Sequence, residues 1–344
     1  MIYRSAMPGD GPEMLGLIES HPAGKGMKIL YTRRPDAYKS YLAECPDAEI
    51  TLCLSDDSRV SAQIVCLPRK LYISREAHTV GYVTGLHKKD GAAADILKLL
   101  ETAYSQSRAK HFFCSILDEN KSVYDLLAKR GLIHPICDYA TYFHNPAAFK
   151  LSKHNFKFRR AVPNDLKNLL GFYNEAGSLY SYFPVFDTMN GFAGLQISDF
   201  FILEDKGEII AAGALWDQRS YKQYIALGYH GASKLAAHCS PPLRFFRYPP
   251  LPKVNAAANF AYISFMLSRK NNPGAERIFL GELAAAARRY DFLAIGAVNG
   301  DKLREILNAV KNIKIGSKLC AIDYDKQSSL PIYETPFRFE CALL

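Results

Sequence analysis

The sequence predicts an α+β protein built from two tandem copies of one strand-and-helix module. Three observations carry that prediction. The chain has 344 residues, and a single hydrophobic core stops growing near roughly 250–300 residues. It also contains an internal repeat: YRSAMPGDGPEMLG at 3–16 aligns without a gap to FRRAVPNDLKNLLG at 158–171, an offset of 155. The shared positions are Arg4/Arg159, Ala6/Ala161, Pro8/Pro163, Asp10/Asp165, Leu15/Leu170 and Gly16/Gly171. Finally, strands and helices follow each start in a parallel order.

Each start reads as an alternating strand, a Pro-bearing turn, an Asp near a helix start and an apolar-periodic helix. In the first half a helix is expected near 36–45, then a hairpin from ITLCLSDD into SRVSAQIVCL. A strand HTVGYVTGL follows, and a helix whose N-terminus the periodicity puts near 90–92. Strand HFFCSIL, a short helix over 121–130 and a closing strand near 136–143 complete the half. The second half offers the hairpin DFFILEDKGEIIAAGALW, strand FAYISFML, helix 276–290, strand FLAIGAV, helix 301–311 and a strand pair near 315–324 and 337–343. The Pro-rich stretch 231–254 reads as an extended insertion, and the linker FHNPAAFKLSKHN divides the chain into modules 1–150 and 151–344.

Composition excludes several classes. Apolar residues at 49% and charged residues at 22% argue against disorder, coiled coil and collagen. No run approaches the roughly 18 apolar residues of a membrane helix, and the first residues lack a secretory pattern, so a cytoplasmic protein without membrane partners is expected. Eight scattered cysteines without CxxC read as free core thiols, and nine histidines form neither HExxH nor HxxxH, so no metal is expected. Net charge is +9, with 19 basic against 17 acidic residues in 1–150 and 24 against 17 in 151–344. The excess thus belongs to the second half and bears on an acceptor or partner. No RNA-binding motif accompanies it, so nucleic acid is not an expected partner.

The chemistry concentrates in two segments. Lys88-Lys89-Asp90-Gly91-Ala92-Ala93 joins a strand to a long helix. A helix N-terminus offers unpaired N–H groups and partial positive charge, and Gly91, Ala92, Ala93 and Ala94 leave a phosphate room to approach them. The alternative reading of the same turn is a capped, alanine-rich helix start with no ligand. Asn120 to Leu132, NKSVYDLLAKRGL, then follows the next strand. Together these segments resemble the GNAT acyltransferases, whose motifs run [RQ]xxGx[GA] and NxxAxxLYxKxGF. Lys replaces the usual Arg or Gln in the first; in the second Asn120, Leu126, Lys129 and Gly131 match in register.

The resemblance implies two GNAT-like modules, each a mixed, mostly antiparallel sheet flanked by helices, whose sheets meet or exchange C-terminal strands. It implies acetyl-CoA or another acyl-CoA as co-substrate, held at Leu86, His87, Lys88, Lys89, Gly91–Ala94 and Asn120. The implied reaction is acyl transfer to a small-molecule or peptide amine. The family's acid Tyr falls at Leu127, which carries no proton, so Tyr124 one turn earlier is the candidate acid. Glu76 and His78, with His87, are the candidate bases. The second module's turn, Ser268 to Glu276, is degenerate. Its aromatics Phe172, Tyr173, Tyr180, Tyr182, Phe183 and Phe186, with Arg244, Arg247 and Lys253, read either as an acceptor groove or partner surface, or as core plus a solvated loop. Two other functions stay open: a catalytically inactive acyl-CoA-binding or interaction protein, and an aminoacyl-tRNA-dependent transferase.

Overall fold

Twelve strands form one continuous sheet that runs through both halves of the chain. The structure, a computed structural model, describes residues 1–24, 26–188, 192, 194–231, 234, 246–323 and 335–344. The first half contributes β1 (Ile2–Ser5), α1 (Gly11–Glu19), β2 (Met27–Thr32), α2 (Ala37–Glu44), β3 (Glu49–Leu54), β4 (Val60–Ile73), β5 (Glu76–Lys88), α3 (Ile96–Gln106), β6 (His111–Leu117), α4 (Lys121–Lys129) and β7 (Ile133–His144). The second contributes β8 (Lys157–Arg160), α5 (Leu166–Gly177), β9 (Phe200–Asp205), β10 (Glu208–Trp216), β11 (Gln223–Tyr229), β12 (Phe260–Ser268), α6 (Pro273–Ala286), β13 (Phe292–Val298), α7 (Lys302–Asn308) and β14 (Asn312–Ile322). Among the described residues no helix is long and apolar enough to cross a membrane.

The strand order is β1-β3-β4-β5-β6-β14-β7-β13-β12-β10-β9-β8. The closing strands are therefore exchanged. β14 lies between β6 and β7 of the first half, and β7 lies between β14 and β13 of the second, all three contacts antiparallel. The central pair runs from Asn312 opposite His144 to Ile322 opposite Ile133, with one register shift after Leu319. A separate two-stranded sheet pairs β2 of the first half with β11 of the second.

Alternating side chains on these strands sort into two layers. Val65, Leu67, Tyr139, Phe200, Ile202, Phe260 and Tyr262 join α1, α2, α5 and residues 339–343 in one core spanning both halves. Their neighbours face the other side: Ile64 and Cys66 pack with α3 and α4, and Ala140, Phe201, Leu203 and Ile263 pack with α6 and α7. The six aromatics of residues 172–186 all belong to the shared core, which makes them packing residues and not a groove. Arg244 and most of the 231–254 stretch lie outside the described residues.

The repeat has a structural cause. Arg4 donates to Asp10 through both terminal nitrogens at 2.7 and 2.8 Å, and Arg159 makes the same fork to Asp165 at 2.6 and 2.8 Å. Each carboxylate also accepts the N–H of the residue before the proline, Met7 or Val162, at 2.6 and 2.7 Å. Ala6 and Ala161 complete the unit by donating to the carbonyls of Ile50 and Phe200 in the neighbouring strand. The fork sets the angle between strand and helix, which is why Arg, Ala, Pro and Asp recur at fixed spacing.

Three expectations need correction. The helix after β5 starts at Ile96, with Asp95 as N-cap, and not near 90–92, because Gly91 sits at φ 71°, a left-handed conformation that no helix contains. Residues 337–343 form no strand: Phe337 makes one bridge to Ser181, and 341–343 are a 3₁₀ turn. The place beside β14 that they would take is occupied by β7. Finally, β2 and β11 are strands beyond those that the sequence predicts.

Arg159 makes the fork to Asp165 and a second to Glu204, so Arg159→Ala should cost about 2–3 kcal/mol in urea unfolding, and Arg4→Ala about 1–2 kcal/mol. Hydrogen bonding from Arg159 brings the Asp165 carboxyl down to about 2. Its contribution is therefore complete above the ordinary carboxyl range and lost as pH falls from about 4 through 2. The acid limb of the stability curve should be shallower there in Arg159→Ala.

Candidate functional site

The site follows from where two parallel strands stop pairing. β5 and β6 are joined only over Val80–Val83 and His111–Cys114. Beyond that point β5 stays with β4 as far as Lys88, while β6 continues along β14. The strands part, and a bulge lies at the parting. His87 pairs with Gln63 and Thr84 with Val65, so Ile64 faces both Gly85 and Leu86, an arrangement that leaves one residue out of the ladder. Gly85 has φ 60°, and a Cβ there would come within 2.5 Å of the Tyr41 hydroxyl, so both conformation and space require glycine.

The second half repeats this geometry. β12 and β13 pair only over Phe260–Tyr262 and Phe292–Ala294. A bulge places Phe265 and Met266 opposite Gly213, with Phe265 at φ 54°. Here the chain's own side chains fill the parting. Glu340 accepts the Phe265 N–H, and Arg338 donates to the Met266 carbonyl at 3.1 Å. Arg338 also forks onto Asp301, the N-cap of α7, at 2.9 and 2.8 Å and reaches Glu276 in the first turn of α6 at 3.4 Å. Burial pushes the Glu340 carboxyl up to about 7, against the pull of the Ala342 and Phe265 N–H groups. In the first half, among the described residues, no side chain bonds the N–H of Gly85 or Leu86.

One wall of the first parting is the turn into α3. The side chain of Asp95 accepts from Leu97 and Lys98, while the N–H groups of Ala93 and Ile96 have no hydrogen-bond partner among the described residues. The space over Gly91 is open, with nothing within 4 Å of a Cβ built there. Lys88 ends β5 and Lys89 anchors the turn through its N–H to the Ser61 carbonyl at 2.8 Å. Free donors, open backbone and two ammonium groups fit a phosphate-bearing group. The fully exposed Asp90, whose carboxylate lies 3.5 Å from His21, adds one opposing charge.

The other wall is buried and charged. His87 is pushed down to about 4, first by burial and then by His21 and Arg33, so it is neutral at pH 7. The Arg33 guanidinium lies over the Tyr41 ring at 3.7 Å and pairs with Glu44. Arg69 from β4 and Lys222 from the second half reach the same carboxylate at 3.8 and 3.5 Å. Burial alone would raise Glu44; Lys222, Arg33 and Arg69 together bring it down to about 2.

The sequence-derived residues fall into three places. Leu86, His87, Lys88, Lys89 and Gly91–Ala94 line the parting and the turn. Asn120 is the N-cap of α4, its carbonyl accepting from Val123 and Tyr124, and Tyr124 packs with Leu127 against the cluster of Phe112, Ile133 and Cys320. Glu76 and His78 lie at the hairpin end of β5, beside the His111 ring 5.9 Å from His78. Nine positions along the strand separate His78 from His87, about 30 Å at the usual rise, so the structure does not bring Glu76 and His78 to the bulge. Sequence reasoning missed Arg33, Tyr41, Glu44, Arg69 and Lys222. They come from four segments of the chain up to 189 positions apart, α2, β4 and the residues next to β2 and β11, and no spacing marks them.

No family model matches the sequence, and no curated protein matches it. Solved structures do. A GCN5-related glucosamine N-acetyltransferase region of a fungal multi-domain GH3 β-N-acetylglucosaminidase aligns with TM-score 0.62 at 11% identity, over 93% of this chain and 38% of that one. Saccharomyces cerevisiae N-myristoyltransferase with bound myristoyl-CoA aligns with TM-score 0.56 at 9% identity, over 93% and 82%. A GCN5-related N-acetyltransferase from Anabaena variabilis aligns with TM-score 0.52 at 9% identity, over 92% and 72%. The chain has the GNAT fold, the α+β arrangement that its motifs implied; at such identity the likeness speaks for fold alone.

Two outcomes follow from the charged wall. Glu44→Gln strands three buried cations and should lower the unfolding free energy by about 3–5 kcal/mol in urea titrations. In proton NMR, the His87 imidazole should titrate with a midpoint near 4, and His21→Asn should move that midpoint upward.

Proposed function

We propose that the protein transfers an acyl group from acyl-CoA to an amine at the parting of β5 and β6. The observation that favours this reading is the contrast between two equivalent bulges. In the second half the bulge N–H is bound by a carboxylate of the chain; in the first, among the described residues, no side chain takes that place. When bound, acyl-CoA supplies an activated thioester. Lys88, Lys89 and the N–H groups of Ala93 and Ile96 hold its phosphates, and the Gly85–Leu86 backbone polarises the acyl carbonyl. His87, neutral and at the bulge, accepts the proton that the amine loses as its nitrogen bonds to the acyl carbon. The C–S bond breaks, and the departing thiolate takes a proton from solvent, since Leu127 has none to give. Among the sequence candidates, His87 takes the role of base ahead of Glu76 and His78, and Tyr124 stays on the reverse face. A cytoplasmic setting, where thiols remain reduced, suits the seven cysteines that are free among the described residues.

Calorimetric titration with CoA should show one site in the wild type and none in Gly91→Glu, which sets a carboxylate in the open space over the turn. Equal binding by both, or none by either, removes the site. With acetyl-CoA and an amine panel, His87→Gln should reduce kcat by about 10²–10⁴. CoA binding without thiol release for any amine would make the protein a CoA-binding module instead.

A further inference from the structure

The proposed reaction leaves the buried charges behind the bulge unexplained. Arg33, Arg69 and Lys222 surround the single carboxylate of Glu44, and buried charges are ordinarily matched. Lys222 is engaged a second time, donating to a main-chain oxygen of Leu344 at 3.2 Å. The two guanidiniums share what remains, and both are incompletely bonded: Nε of Arg33 and Nε of Arg69 are buried without a hydrogen-bond partner. So are the hydroxyls of Tyr41 and Tyr221. All four of these groups can donate. They belong to one cluster, since Arg33 lies on the Tyr41 ring and Tyr221 feels the charges of Glu44, Arg69 and Arg33.

An unpaired acceptor lies on the side toward the bulge. Gln63 is opposite His87 in the strand pair, its amide nitrogen reaches the Gly85 carbonyl at 3.5 Å, and its Oε1 is buried without a partner. Tyr41 joins the two sides, with its ring under Arg33 and its hydroxyl against Gly85.

We infer that the acceptor is an amine that also carries a carboxylate. The carboxylate is held by the guanidiniums of Arg33 and Arg69 and the hydroxyls of Tyr41 and Tyr221, and the amine by Gln63 beside His87. This rests on the acyl-transfer reading and adds the acceptor class to it. A carboxylate offers about four lone-pair sites in the plane that guanidinium forks match. An acceptor lacking it leaves buried donors unpaired, which is the situation in which sites discriminate most strongly.

The test compares amino acids with their own amides, glycine against glycinamide and phenylalanine against phenylalaninamide, using acetyl-CoA and thiol release. The expected preference in kcat/KM for the acid is at least about tenfold. Arg69→Gln should reduce that ratio most, and Tyr221→Phe, which deletes a hydroxyl and no charge, by a smaller factor. Equal kcat/KM for acid and amide, or a ratio unchanged in both variants, overturns the inference. A second readout separates it from the function itself. In calorimetry with the N-acetylated amino acids and their amides, preference for the acids without turnover of any amine keeps the carboxylate site while removing acyl transfer. No preference in that titration removes the carboxylate site.

Discussion

The antiparallel pair of β7 and β14 is the constraint on which the rest of the molecule depends. Each half builds five strands of the sheet in order and then gives its sixth to the centre, where it stands between two strands of the other half. The exchange is held by main-chain hydrogen bonds along the longest register at the junction, so the halves are one sheet and not two that touch. Because the sheet is continuous, α1, α2 and α5 bury their apolar faces in one core, while the helices that cross between parallel strands stay in separate clusters on the reverse side. The same constraint brings Lys222 and Tyr221 of the second half against Glu44 and Arg69 of the first. A wall built by both halves exists only because their sheets are fused.

Charge distinguishes the two partings more than shape does. In the second, one arginine meets two carboxylates while a third carboxylate caps the bulge; cation and anion come from the same chain and need no ligand. In the first, three cations meet one carboxylate, and several donors are left over. Burial makes unmatched charge costly wherever it occurs, so the imbalance is a feature that the fold tolerates at one of two otherwise equivalent places. The left-handed Phe265 points the same way. A bulky residue at positive φ stores about 1–3 kcal/mol of strain, and the carboxylate of Glu340 on its N–H is what holds it there.

Much of the fold was legible because it rests on local rules. The hairpins, the order of elements and the Arg–Asp fork repeat within fourteen residues, so spacing reveals them. The turn at Lys88–Ala94 was found, although its helix begins later, since a glycine at positive φ and a second capping Asp cannot be told from a helix start by periodicity. The exchange of β7 and β14 is only one of two arrangements that the sequence allows, because strand pairing across about 180 positions leaves no trace in either strand alone. The cluster of Arg33, Glu44, Arg69 and Lys222 was invisible for the same reason. Each of these residues reads singly as an ordinary surface charge, and only the fold makes them neighbours.

The exchanged strands also bear on how the chain comes off the ribosome. When residues 1–150 have emerged, β6 and β7 exist, but the strand that separates them lies more than 160 residues downstream. The nascent first half therefore exposes three unsatisfied strand edges, one of β6 and both of β7, for about half of translation, the kind of surface that pairs with the wrong chain when left uncovered. At an elongation rate of about 5–20 residues per second, that exposure lasts on the order of ten seconds or more. The strand exchange that unites the finished protein thus makes its synthesis depend on an escort or on delayed collapse of the leading half.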